Sequence, residues 1–499
     1  MKITKVFGPP GTGKTTFLLN KVEEFLQEGI PPEEIGYFAF TRKASTEAKT
    51  RAITRFDHLK EKQFSNFRTL HSLAYSRLGL SNGRMISSAQ MKEFAEKVGM
   101  DNVGVNSGDE SWELKTDNPV LNVINLSRLK MVDLEKEYNA SSLNIGWHSF
   151  LHIYNSYRKF LEKHTLLDFT DLLEQFSICD DDTYPNFQAV IIDEAQDLSP
   201  LQWKVVSRLV KKANKVYIAG DDDQAIFGWA GADVKSLLTY EGEHIILNQS
   251  HRIPKTIYDY ADKIVNRIKY RVPKEWNPRD DEGSLDIIAN FRSLDFNDNW
   301  LVLAPSNYVL NEIHAYLKSM GILFERNHIR SISEKVVDAV DSWDRLMNYE
   351  SITANNVKSI YSYLNKDLIK KGYKKFEGQS DVRYTFDDLK NNHGLLSERC
   401  SWMNALHKIS DDQSIYIRSA IRKGQSLLGK PQVKLSTIHG SKGGEADNVL
   451  FFPDLSEKFC SLGFKDPDAM NRLHYVGVTR AKKSLNIMQP ERYDRSFAI

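Results

Sequence analysis

Cysteine is scarce in this sequence of 499 residues, and its scarcity excludes several kinds of site. The three cysteines, Cys179, Cys400 and Cys460, are far apart and form no C-x-x-C pair. Neither a disulfide framework nor a cysteine-based zinc or iron–sulfur site is therefore expected. A chain without a disulfide framework suits a reducing compartment, and we expect a cytoplasmic protein.

Long apolar runs and an excess of one charge are also missing. No apolar run approaches membrane-spanning length, and no signal-like apolar region opens the chain, so we expect a soluble, intracellular protein with no membrane partner. The 67 Lys and Arg residues against 66 Asp and Glu residues give a net charge of only +1. Because no global field then attracts a polyanion, any contact with nucleic acid must be a local groove.

Apolar strands alternate with amphipathic helices in two separate blocks, a pattern typical of α/β proteins with doubly wound parallel sheets. Each block is interrupted by a helical insertion, at residues 81–165 and 331–430, and the polar stretch 106–119 is predicted as an exposed loop. The predicted strands are residues 3–7, 35–40, 189–192, 216–219 and 245–247 in the first block, and 301–304, 433–438, 449–452 and 485–488 in the second.

A phosphate-binding loop follows the first predicted strand. The run Gly8-Pro9-Pro10-Gly11-Thr12-Gly13-Lys14-Thr15 fits G-x-x-x-x-G-K-[ST] at every fixed position. An amphipathic helix predicted at residues 14–27 would direct its N-terminus and the backbone N–H groups of the loop at the phosphates. In this motif Lys14 reaches the β- and γ-phosphates and Thr15 the magnesium ion. The alternative, a chance glycine-rich turn at a helix start, is disfavoured by the flanking strand and helix.

Two acidic segments follow later strands of the same block. The first is Ile192-Asp193-Glu194-Ala195-Gln196-Asp197, and the second runs Gly220-Asp221-Asp222-Asp223-Gln224-Ala225-Ile226-Phe227-Gly228-Trp229. Carboxylates after an apolar strand suit an Mg-nucleotide site, and the nearby aromatic residues suit a surface that stacks the bases of a single strand. The pair of segments therefore connects nucleotide chemistry with nucleic-acid binding.

The second block contributes arginines and a glycine-rich loop. Arginine stabilises charge in phosphoryl transfer because its planar fork pairs with phosphate oxygens. Each arginine taken alone is better explained as a surface or salt-bridge residue, and the order of the motifs along the chain is what favours a role at a nucleotide. The three segments are Gln249-Ser250-His251-Arg252, the run from Thr437 through His439 and Gly440 to Glu445, and Tyr475-Val476-Gly477-Val478-Thr479-Arg480-Ala481, which is predicted to lie on a helix.

Further motifs complete an ordered set along the chain. They are Thr41-Arg42-Lys43-Ala44, Thr69-Leu70-His71-Ser72 and Asp168-Phe169-Thr170-Asp171-Leu172. Together with the segments above, their order resembles that of the UvrD/Rep/PcrA-type DNA helicases of superfamily 1A across essentially the whole chain. The resemblance implies two RecA-like motor domains, each interrupted by a mainly helical subdomain. The implied limits are 1–80 with 166–250 for the first motor domain, 81–165 for its insert, 251–330 with 431–499 for the second, and 331–430 for a small second insert, as in a compact member.

The resemblance implies that ATP and Mg²⁺ bind between the motor domains and that hydrolysis opens and closes the cleft. Asp193 and Thr15 would hold Mg²⁺, Glu194 would act as general base, Gln224 would sense the γ-phosphate, and Glu445 would contact the ribose. Arg252 and Arg480 would act as arginine fingers, with Lys14 completing the catalytic set. The implied nucleotide contacts are Gly8, Pro9, Pro10, Gly11, Thr12, Gly13, Lys14, Thr15, Thr16, Gln224, Arg252, Glu445 and Arg480.

On the DNA side the resemblance assigns backbone contacts to Thr41, Arg42, His71 and His439. It assigns base stacking to Phe227 and Trp229, which suits a translocase because stacking does not depend on sequence. Alternatively, Trp229 is a core aromatic residue and each histidine is an ordinary hydrogen-bonded residue.

Several positions depart from the family pattern. Only seven residues precede Gly8, so the adenine-reading glutamine helix of the relatives is not expected, and His251 replaces their adenine-stacking tyrosine. Ala230 replaces an arginine that often follows the tryptophan. The strand-separating β-hairpin of the relatives is not evident after Arg480, so either a pin lies elsewhere, such as in the first insert, or unwinding is weak.

A basic patch interleaved with aromatic residues lies in the second insert. It comprises Lys370, Lys371, Tyr373, Lys374, Lys375 and Phe376. Relatives contact duplex DNA in this region, although a solvated helix face explains the patch equally well.

By resemblance we predict a monomeric, ATP-dependent DNA helicase or translocase that moves 3′ to 5′ on single strands and acts at junctions of single- and double-stranded DNA. One alternative is an RNA, RNA–DNA or 5′-to-3′ helicase. Another is a nucleic-acid-stimulated ATPase that remodels protein–DNA complexes without robust unwinding.

Overall fold

The computed structural model describes residues 2–81, 83–100 and 118–498, with the side chain of residue 464 left out. Residues 106–117 of the loop predicted at 106–119 lie outside the described residues. The chain divides into two compact units, Met1–Asp281 with Asp466–Val476, and Glu282–Lys465 with Gly477–Ile499. The chain thus passes to the second unit after Asp281, whereas the second motor domain is predicted to begin at residue 251.

The first unit contains a six-stranded sheet in which all the neighbouring strands are parallel. Its strand order is β3-β2-β4-β5-β1-β6, and a further pair, β7 and β8, lies apart from it. The strands are β1 (Lys2–Phe7), β2 (Ile35–Ala39), β3 (Phe67–Arg68), β4 (Ala189–Asp193), β5 (Lys215–Gly220), β6 (Glu243–Ile246), β7 (Gln249–Pro254) and β8 (Asn277–Arg279).

Helices cover both faces of this sheet, which explains why its strands are continuous apolar runs. In β4, Ala189 and Ile191 join one apolar cluster, while Val190 and Ile192 join another, because successive side chains point to opposite faces. The helices are α1 (Lys14–Gln27), α2 (Arg42–Arg55), α3 (Leu70–Arg77), α4 (Ser88–Val98), α5 (Pro119–Leu129), α6 (Leu134–Ala140), α7 (Trp147–Lys163), α8 (Phe169–Ile178), α9 (Pro200–Lys211), α10 (Val234–Thr239) and α11 (Lys255–Val265).

Short side chains begin several of these helices. Thr41 caps α2 by accepting a hydrogen bond from the Ala44 N–H, and Thr69 caps α3 by accepting one from the Ser72 N–H. At α8, Asp168 and Asp171 exchange side-chain and backbone hydrogen bonds as a capping box. Three of the motifs that carry the family resemblance are therefore helix starts.

The second unit contains a seven-stranded sheet of order β12-β11-β15-β10-β16-β17-β9. Its pairs are parallel except for the antiparallel pair β11 and β12, and β13 and β14 form a separate antiparallel pair. The strands are β9 (Ser284–Ile288), β10 (Trp300–Ala304), β11 (Phe324–Arg326), β12 (Ile329–Arg330), β13 (Ile352–Thr353), β14 (Arg383–Tyr384), β15 (Val433–Thr437), β16 (Ala446–Phe451) and β17 (Ala481–Met488).

The insert at 331–430 is mainly helical, as predicted, with β13 and β14 as its only strands. Its core is continuous with that of the sheet, since Trp343 and Ile360 share one apolar cluster with Val302 and Leu435. The later helices are α12 (Asn311–Ser319), α13 (Glu334–Met347), α14 (Ala354–Tyr363), α15 (Phe386–Asn392), α16 (Trp402–Ala405), α17 (Asp411–Arg422), α18 (Glu457–Lys465) and α19 (Pro467–Val478).

One local prediction is wrong. Residues 475–481 were predicted to lie on a helix, but α19 ends at Val478 and Arg480 lies in the turn before β17. The helix ends there because Ala481 must pair with Ala446 of β16, and the Arg480 N–H closes the turn onto the Gly477 carbonyl. A Cβ atom at Gly477 would lie 2.4 Å from the Phe451 ring, so a larger residue would displace that buried ring.

The predicted α/β class with two parallel sheets is confirmed. Within the described ranges, no helix combines the length and apolar character that a bilayer crossing requires.

Candidate nucleotide site and aromatic surface

The phosphate loop lies between β1 and α1, at the carboxyl edge of the first sheet. Gly11 and Gly13 have φ angles of 75° and 77°, a left-handed conformation that favours glycine. A Cβ atom at Gly8 would lie 2.2 Å from Cγ of Lys14, whose Nζ donates to the Gly8 carbonyl at 2.8 Å. Thr15 follows Lys14 in the first turn of α1. The loop therefore has the backbone geometry that the sequence motif predicts.

Strand β7 packs directly against this loop within the first unit. The His251 N–H donates to the Gly11 carbonyl at 2.9 Å, and the Ser250 hydroxyl donates to the Pro10 carbonyl at 2.7 Å. A Cβ atom at Gly11 would lie 2.3 Å from Cβ of Arg252. Arg252, predicted as an arginine finger, thus lies beside the phosphate loop.

Asp193 and Glu194 lie at the end of β4. Asp193 is buried, and its two carboxylate oxygens accept hydrogen bonds from the Tyr37 hydroxyl at 2.7 Å and the Glu194 N–H at 2.9 Å. Glu194 has a φ angle of 56°, a strained conformation for a residue with a side chain. Its carboxylate accepts a hydrogen bond from the Gln196 amide. The turn therefore fixes the direction of both acidic side chains.

The electrostatics of this pair make the charged form of Asp193 less stable than it is in water. Burial and the neighbouring Glu194 raise the pKa of Asp193 to about 6, although the Tyr37 hydrogen bond and Lys14 act in the opposite direction. Burial and Asp193 in turn hold the pKa of Tyr37 well above its usual value, so its hydroxyl remains a donor. A cation close to Asp193 would favour its charged form.

The acidic turn, residues 221–224, follows the neighbouring strand β5. Its three carboxylates are buried, with one oxygen of each within 4.8 Å of the others. The Gln224 amide donates to Oδ2 of Asp221 at 2.7 Å, and the Asp221 N–H donates to the Gln196 side chain at 3.1 Å. Because Gln196 also contacts Glu194, hydrogen bonds connect the acidic turn with the end of β4.

Basic side chains pair with the carboxylates of the acidic turn. Lys274 contacts all three aspartates, and Arg271 forms two hydrogen bonds with Asp223, both at 2.7 Å. Burial acts to raise the pKa of Asp221, but Lys274, Lys14 and the Gln224 amide together lower it below its usual value. The same carboxylates raise the pKa of Lys274. Lysine thus takes the position that a metal ion would need among these carboxylates.

Aromatic rings form a surface beyond the acidic turn. Phe227 stacks on Phe40 with centroids 5.7 Å apart and an interplanar angle of 29°, and Trp229 lies 6.3 Å from Phe227. Trp229 is 53% exposed, which excludes the alternative that it is a core residue. We call Phe40, Phe227 and Trp229 the aromatic surface.

The other predicted DNA contacts have different environments. Arg42 is exposed at the start of α2, next to the capping residue Thr41. His71 is only 4% exposed and meets Phe169 edge-on, and burial lowers its pKa to about 4. His439, in the second unit, is half-buried and stacks on Phe459 with centroids 6.1 Å apart. DNA contact by these four residues stays a prediction.

The remaining predicted nucleotide contacts lie close together in the second unit. Glu445 pairs with Lys482 at 2.5 Å, and Arg480 is 2% exposed with its guanidinium donating to the Gly444 carbonyl at 3.3 Å. The glycine-rich loop and the turn after α19 therefore meet, as expected for residues at the ends of the paired strands β16 and β17. Their roles toward a nucleotide stay predictions.

Comparison with known proteins now adds to this geometry. Residues 2–244 match the UvrD/REP helicase N-terminal domain, and residues 128–492 match the UvrD-like helicase C-terminal domain. The chain belongs to the UvrD-like helicase family. The resemblance to the UvrD/PcrA type of superfamily 1A is confirmed.

Relatives of this UvrD-like chain include three helicases at low identity. ATP-dependent DNA helicase PcrA of Leuconostoc citreum is 24% identical over 384 residues, which cover 71% of this chain and 49% of that protein. ATP-dependent DNA helicase srs2 of Schizosaccharomyces pombe is 25% identical over an alignment of 623 residues, which covers 97% of this chain and 69% of that protein. PcrA of a Staphylococcus epidermidis strain is 26% identical over 386 residues, covering 71% and 50%. The chain spans about half the length of these PcrA relatives.

Magnesium, which the family implies, fits the residues at the phosphate loop. A threonine hydroxyl and a carboxylate are oxygen ligands that Mg²⁺ prefers, and the Asp193 carboxylate is buried close enough to Lys14 of the loop for its pKa to respond to that charge. Thr15 and Asp193 are thus the residues of this UvrD-like chain that would hold the ion. The acidic turn does not fit, because the Lys274 ammonium already lies among its carboxylates.

Sequence reasoning missed five residues of this region. They are Tyr37, Phe40, Gln196, Arg271 and Lys274. Phe40 and Gln196 lie beside or within motifs and could have been considered from position alone. The other three are distant in sequence from the acidic residues that they contact, so no local pattern indicates them.

Proposed function

We propose that this chain is an ATP-dependent DNA helicase or translocase that moves 3′ to 5′ on single-stranded DNA. The observation that supports this function most is the arrangement of the first unit. The phosphate loop, the Asp193–Glu194 pair and the acidic turn follow three neighbouring strands of one sheet. Hydrogen bonds through Gln196 and Asp221 connect Glu194 with Gln224, and the aromatic surface begins three residues after Gln224. The relatives named as ATP-dependent DNA helicases support the helicase part of the proposal.

In the proposed mechanism, the phosphate loop binds the ATP phosphates through its backbone N–H groups and Lys14. Glu194 accepts the proton of the attacking water, and its strained backbone with the Gln196 hydrogen bond holds the carboxylate in one direction. Mg²⁺, when bound by Thr15 and Asp193, supplies charge neutralisation for the phosphates. Arg252 beside the loop stabilises the negative charge of the transferring phosphoryl group.

Gln224 connects the two activities in this proposal. Its side chain is held by Asp221, and three residues later the chain reaches Phe227 of the aromatic surface. A change at the γ-phosphate that moves Gln224 would therefore alter the presentation of Phe227 and Trp229 to bases. Stacking on the exposed face of Trp229 is worth about 1–3 kcal/mol per base and is indifferent to sequence, as translocation requires.

The test is strand displacement on duplexes that carry a 3′ or a 5′ single-stranded tail. Each is run with all four nucleoside triphosphates, because His251 occupies the position of the adenine-stacking tyrosine in the relatives. The proposal predicts displacement of the 3′-tailed duplex with ATP and a hydrolysis rate that single-stranded DNA increases. Displacement of the 5′-tailed duplex alone would show that the chain moves 5′ to 3′.

Two other outcomes would select the alternatives. If neither tail supports displacement while single-stranded DNA still stimulates hydrolysis, the chain is an ATPase that remodels nucleic-acid complexes. If RNA stimulates hydrolysis and DNA does not, it is an RNA-dependent enzyme. A matched control carries Lys14→Ala, which removes the phosphate-contacting ammonium and should abolish both signals.

A further inference from the structure

The acidic turn requires an internal cation. Asp221, Asp222 and Asp223 are consecutive and at most 1% exposed, so three carboxylates meet in a small buried space. Buried like charges repel one another and lose the hydration that stabilises them in water. Such a turn remains charged and ordered only where cations lie inside it.

Lys274 supplies that cation from a segment between α11 and β8. Its side chain is fully buried, and Nζ lies 2.5 Å from Asp222, 2.8 Å from Asp223 and 3.3 Å from Asp221. An ammonium group has three N–H donors, so each carboxylate can receive one. The lysine therefore holds the three side chains at one point.

Neighbours of Lys274 fix the same turn from other directions. Arg271 pairs with both oxygens of Asp223, and the Val272 N–H donates to Asp222 at 2.8 Å. On α19, Arg472 donates to the Asp222 carbonyl at 2.8 Å. These contacts leave the carboxylates of Asp222 and Asp223 engaged in structure.

Asp221 differs from the other two because it also holds a proposed functional residue. Its Oδ1 faces Lys274 and the Asp223 N–H, while its Oδ2 accepts the hydrogen bond of the Gln224 amide. The direction of the Gln224 side chain therefore depends on a carboxylate whose own position depends on Lys274.

We propose that Lys274 is a positioning residue, which acts through Asp221 to hold the Gln224 amide in the direction that ATP hydrolysis requires. Lys274 does not touch the nucleotide in this role. The proposal rests on the proposed function of Gln224, and it adds a residue from a segment outside the motifs of the sequence.

The test combines Lys274→Met, Gln224→Ala and the double variant in the full chain. We expect Lys274→Met to lower kcat of DNA-stimulated ATP hydrolysis about tenfold or more while the KM for ATP changes less than about threefold. Because both changes act on one amide, the double variant should be no slower than Gln224→Ala within about twofold. Losses that multiply, or a kcat within about twofold of the unmodified chain, would overturn the inference.

Lys5→Met is the matched control. Lys5 is also a buried lysine near Asp222, but its Nζ donates to the Leu238 carbonyl at 3.2 Å. Its replacement should lower the melting temperature and leave kcat within about twofold. Equal loss of kcat in both lysine variants would indicate general destabilisation and would contradict a specific role for Lys274.

Amide hydrogen exchange gives a readout that does not need activity. In Lys274→Met the peptide covering residues 220–230 should exchange about tenfold faster than in Lys5→Met, with other peptides unchanged. Unchanged exchange there would refute the inference. If Lys274→Met does not fold, Arg271→Met replaces it, because Arg271 also pairs with the acidic turn. This variant should show the same faster exchange and the same lack of additivity with Gln224→Ala. Absence of DNA-stimulated hydrolysis in the unmodified chain would instead count against the proposed function.

Discussion

Two acidic segments end neighbouring strands of the first sheet, and they are alike in sequence but different in chemistry. Asp193 and Glu194 follow β4, and the acidic turn follows β5. The Asp193 carboxylate accepts hydrogen bonds from a hydroxyl and a backbone N–H, and its pKa rises to about 6. The acidic turn encloses Lys274, and the pKa of Asp221 falls.

Carboxylates after an apolar strand are therefore not sufficient evidence of an ion site. Lys274 and Arg271 pair with the carboxylates of one segment, which forms a structural cluster that holds Gln224. The other segment retains a destabilised negative charge beside the phosphate loop, where a bound cation would be stabilising. Neutralising a carboxylate in one segment or in the other should therefore change stability in opposite directions.

The largest expected effect is on catalysis. Glu194→Gln should retain nucleotide binding and lower kcat about 10²–10⁴-fold, because the proposed general base is lost. Turnover and binding of a fluorescent nucleotide measure the two parts. Turnover within a few-fold of the unmodified chain would remove Glu194 as the base. Glu28→Gln is a control at an exposed ion pair on the same unit.

Asp221→Asn should instead lower stability. The pKa of Asp221 lies below its usual value in the folded state, so the variant loses a stabilised charge paired with Lys274, worth about 1.5–3 kcal/mol of the free energy of unfolding. Urea unfolding at neutral pH measures the change. If Asp221→Asn were neutral or stabilising, Lys274 would not stabilise this charge, and the comparison would fail.

Asp193→Asn should instead raise the free energy of unfolding at neutral pH in the absence of nucleotide. The folded state binds the Asp193 proton more tightly than the unfolded state, so its contribution to stability is present below about pH 4 and is lost as the pH rises through about 6. Two pKa units correspond to about 3 kcal/mol at most. We expect the variant to gain up to that amount at pH 7.5.

The pH series needs the variant itself as reference. Burial lowers the pKa of His71 to about 4 and that of His474 to about 3. Their contribution to the stability of the folded state is therefore lost as the pH falls below about 6.5. Subtracting the curve of Asp193→Asn from that of the unmodified chain removes their contribution. A flat difference between pH 4 and 7 would contradict the raised pKa of Asp193.

Trp229→Ala tests whether the acidic turn leads to a DNA-binding surface. Loss of one stacking contact should weaken single-stranded DNA binding by about 1–3 kcal/mol and reduce DNA-stimulated hydrolysis more than basal hydrolysis. Stability should change little because the side chain is 53% exposed. Equal loss of stimulated and basal rates would indicate a structural role. Tyr308→Ala, at a similarly exposed aromatic residue of the second unit, is the control.

The smallest effect is expected from Tyr37→Phe. The variant removes only the hydroxyl that donates to Asp193, a hydrogen bond to a charged group worth about 1.5–3 kcal/mol when that group is ionised. Stability should therefore fall mainly above pH 6, and the Mg²⁺ concentration needed for nucleotide binding should rise. An unchanged pH profile would show that Glu194 and burial alone set the state of Asp193.

Much of the fold was predictable because its signals are local. Apolar runs such as 189–192 and 301–304 became strands, and the glycine spacing at 8–15 became a phosphate loop with left-handed Gly11 and Gly13. Short two-residue strands such as Phe67–Arg68 were not predicted, since they are too short for periodicity to register. The helix expected at 475–481 ended early because pairing of β17 with β16 overrode the local preference.

The sequence alone encodes the α/β class, the order of the motifs, the phosphate loop and the acidic residues at strand ends. Each of these depends on residues that are close along the chain. Tertiary packing selects which carboxylates pair with cations and which aromatic rings contact one another. Tyr37 reaches Asp193 from 156 positions away and Lys274 reaches Asp222 from 52. The first pair forms because the sheet places β2 beside β4, and the second because the segment between α11 and β8 packs against the turn after β5. No local pattern of residues encodes either arrangement.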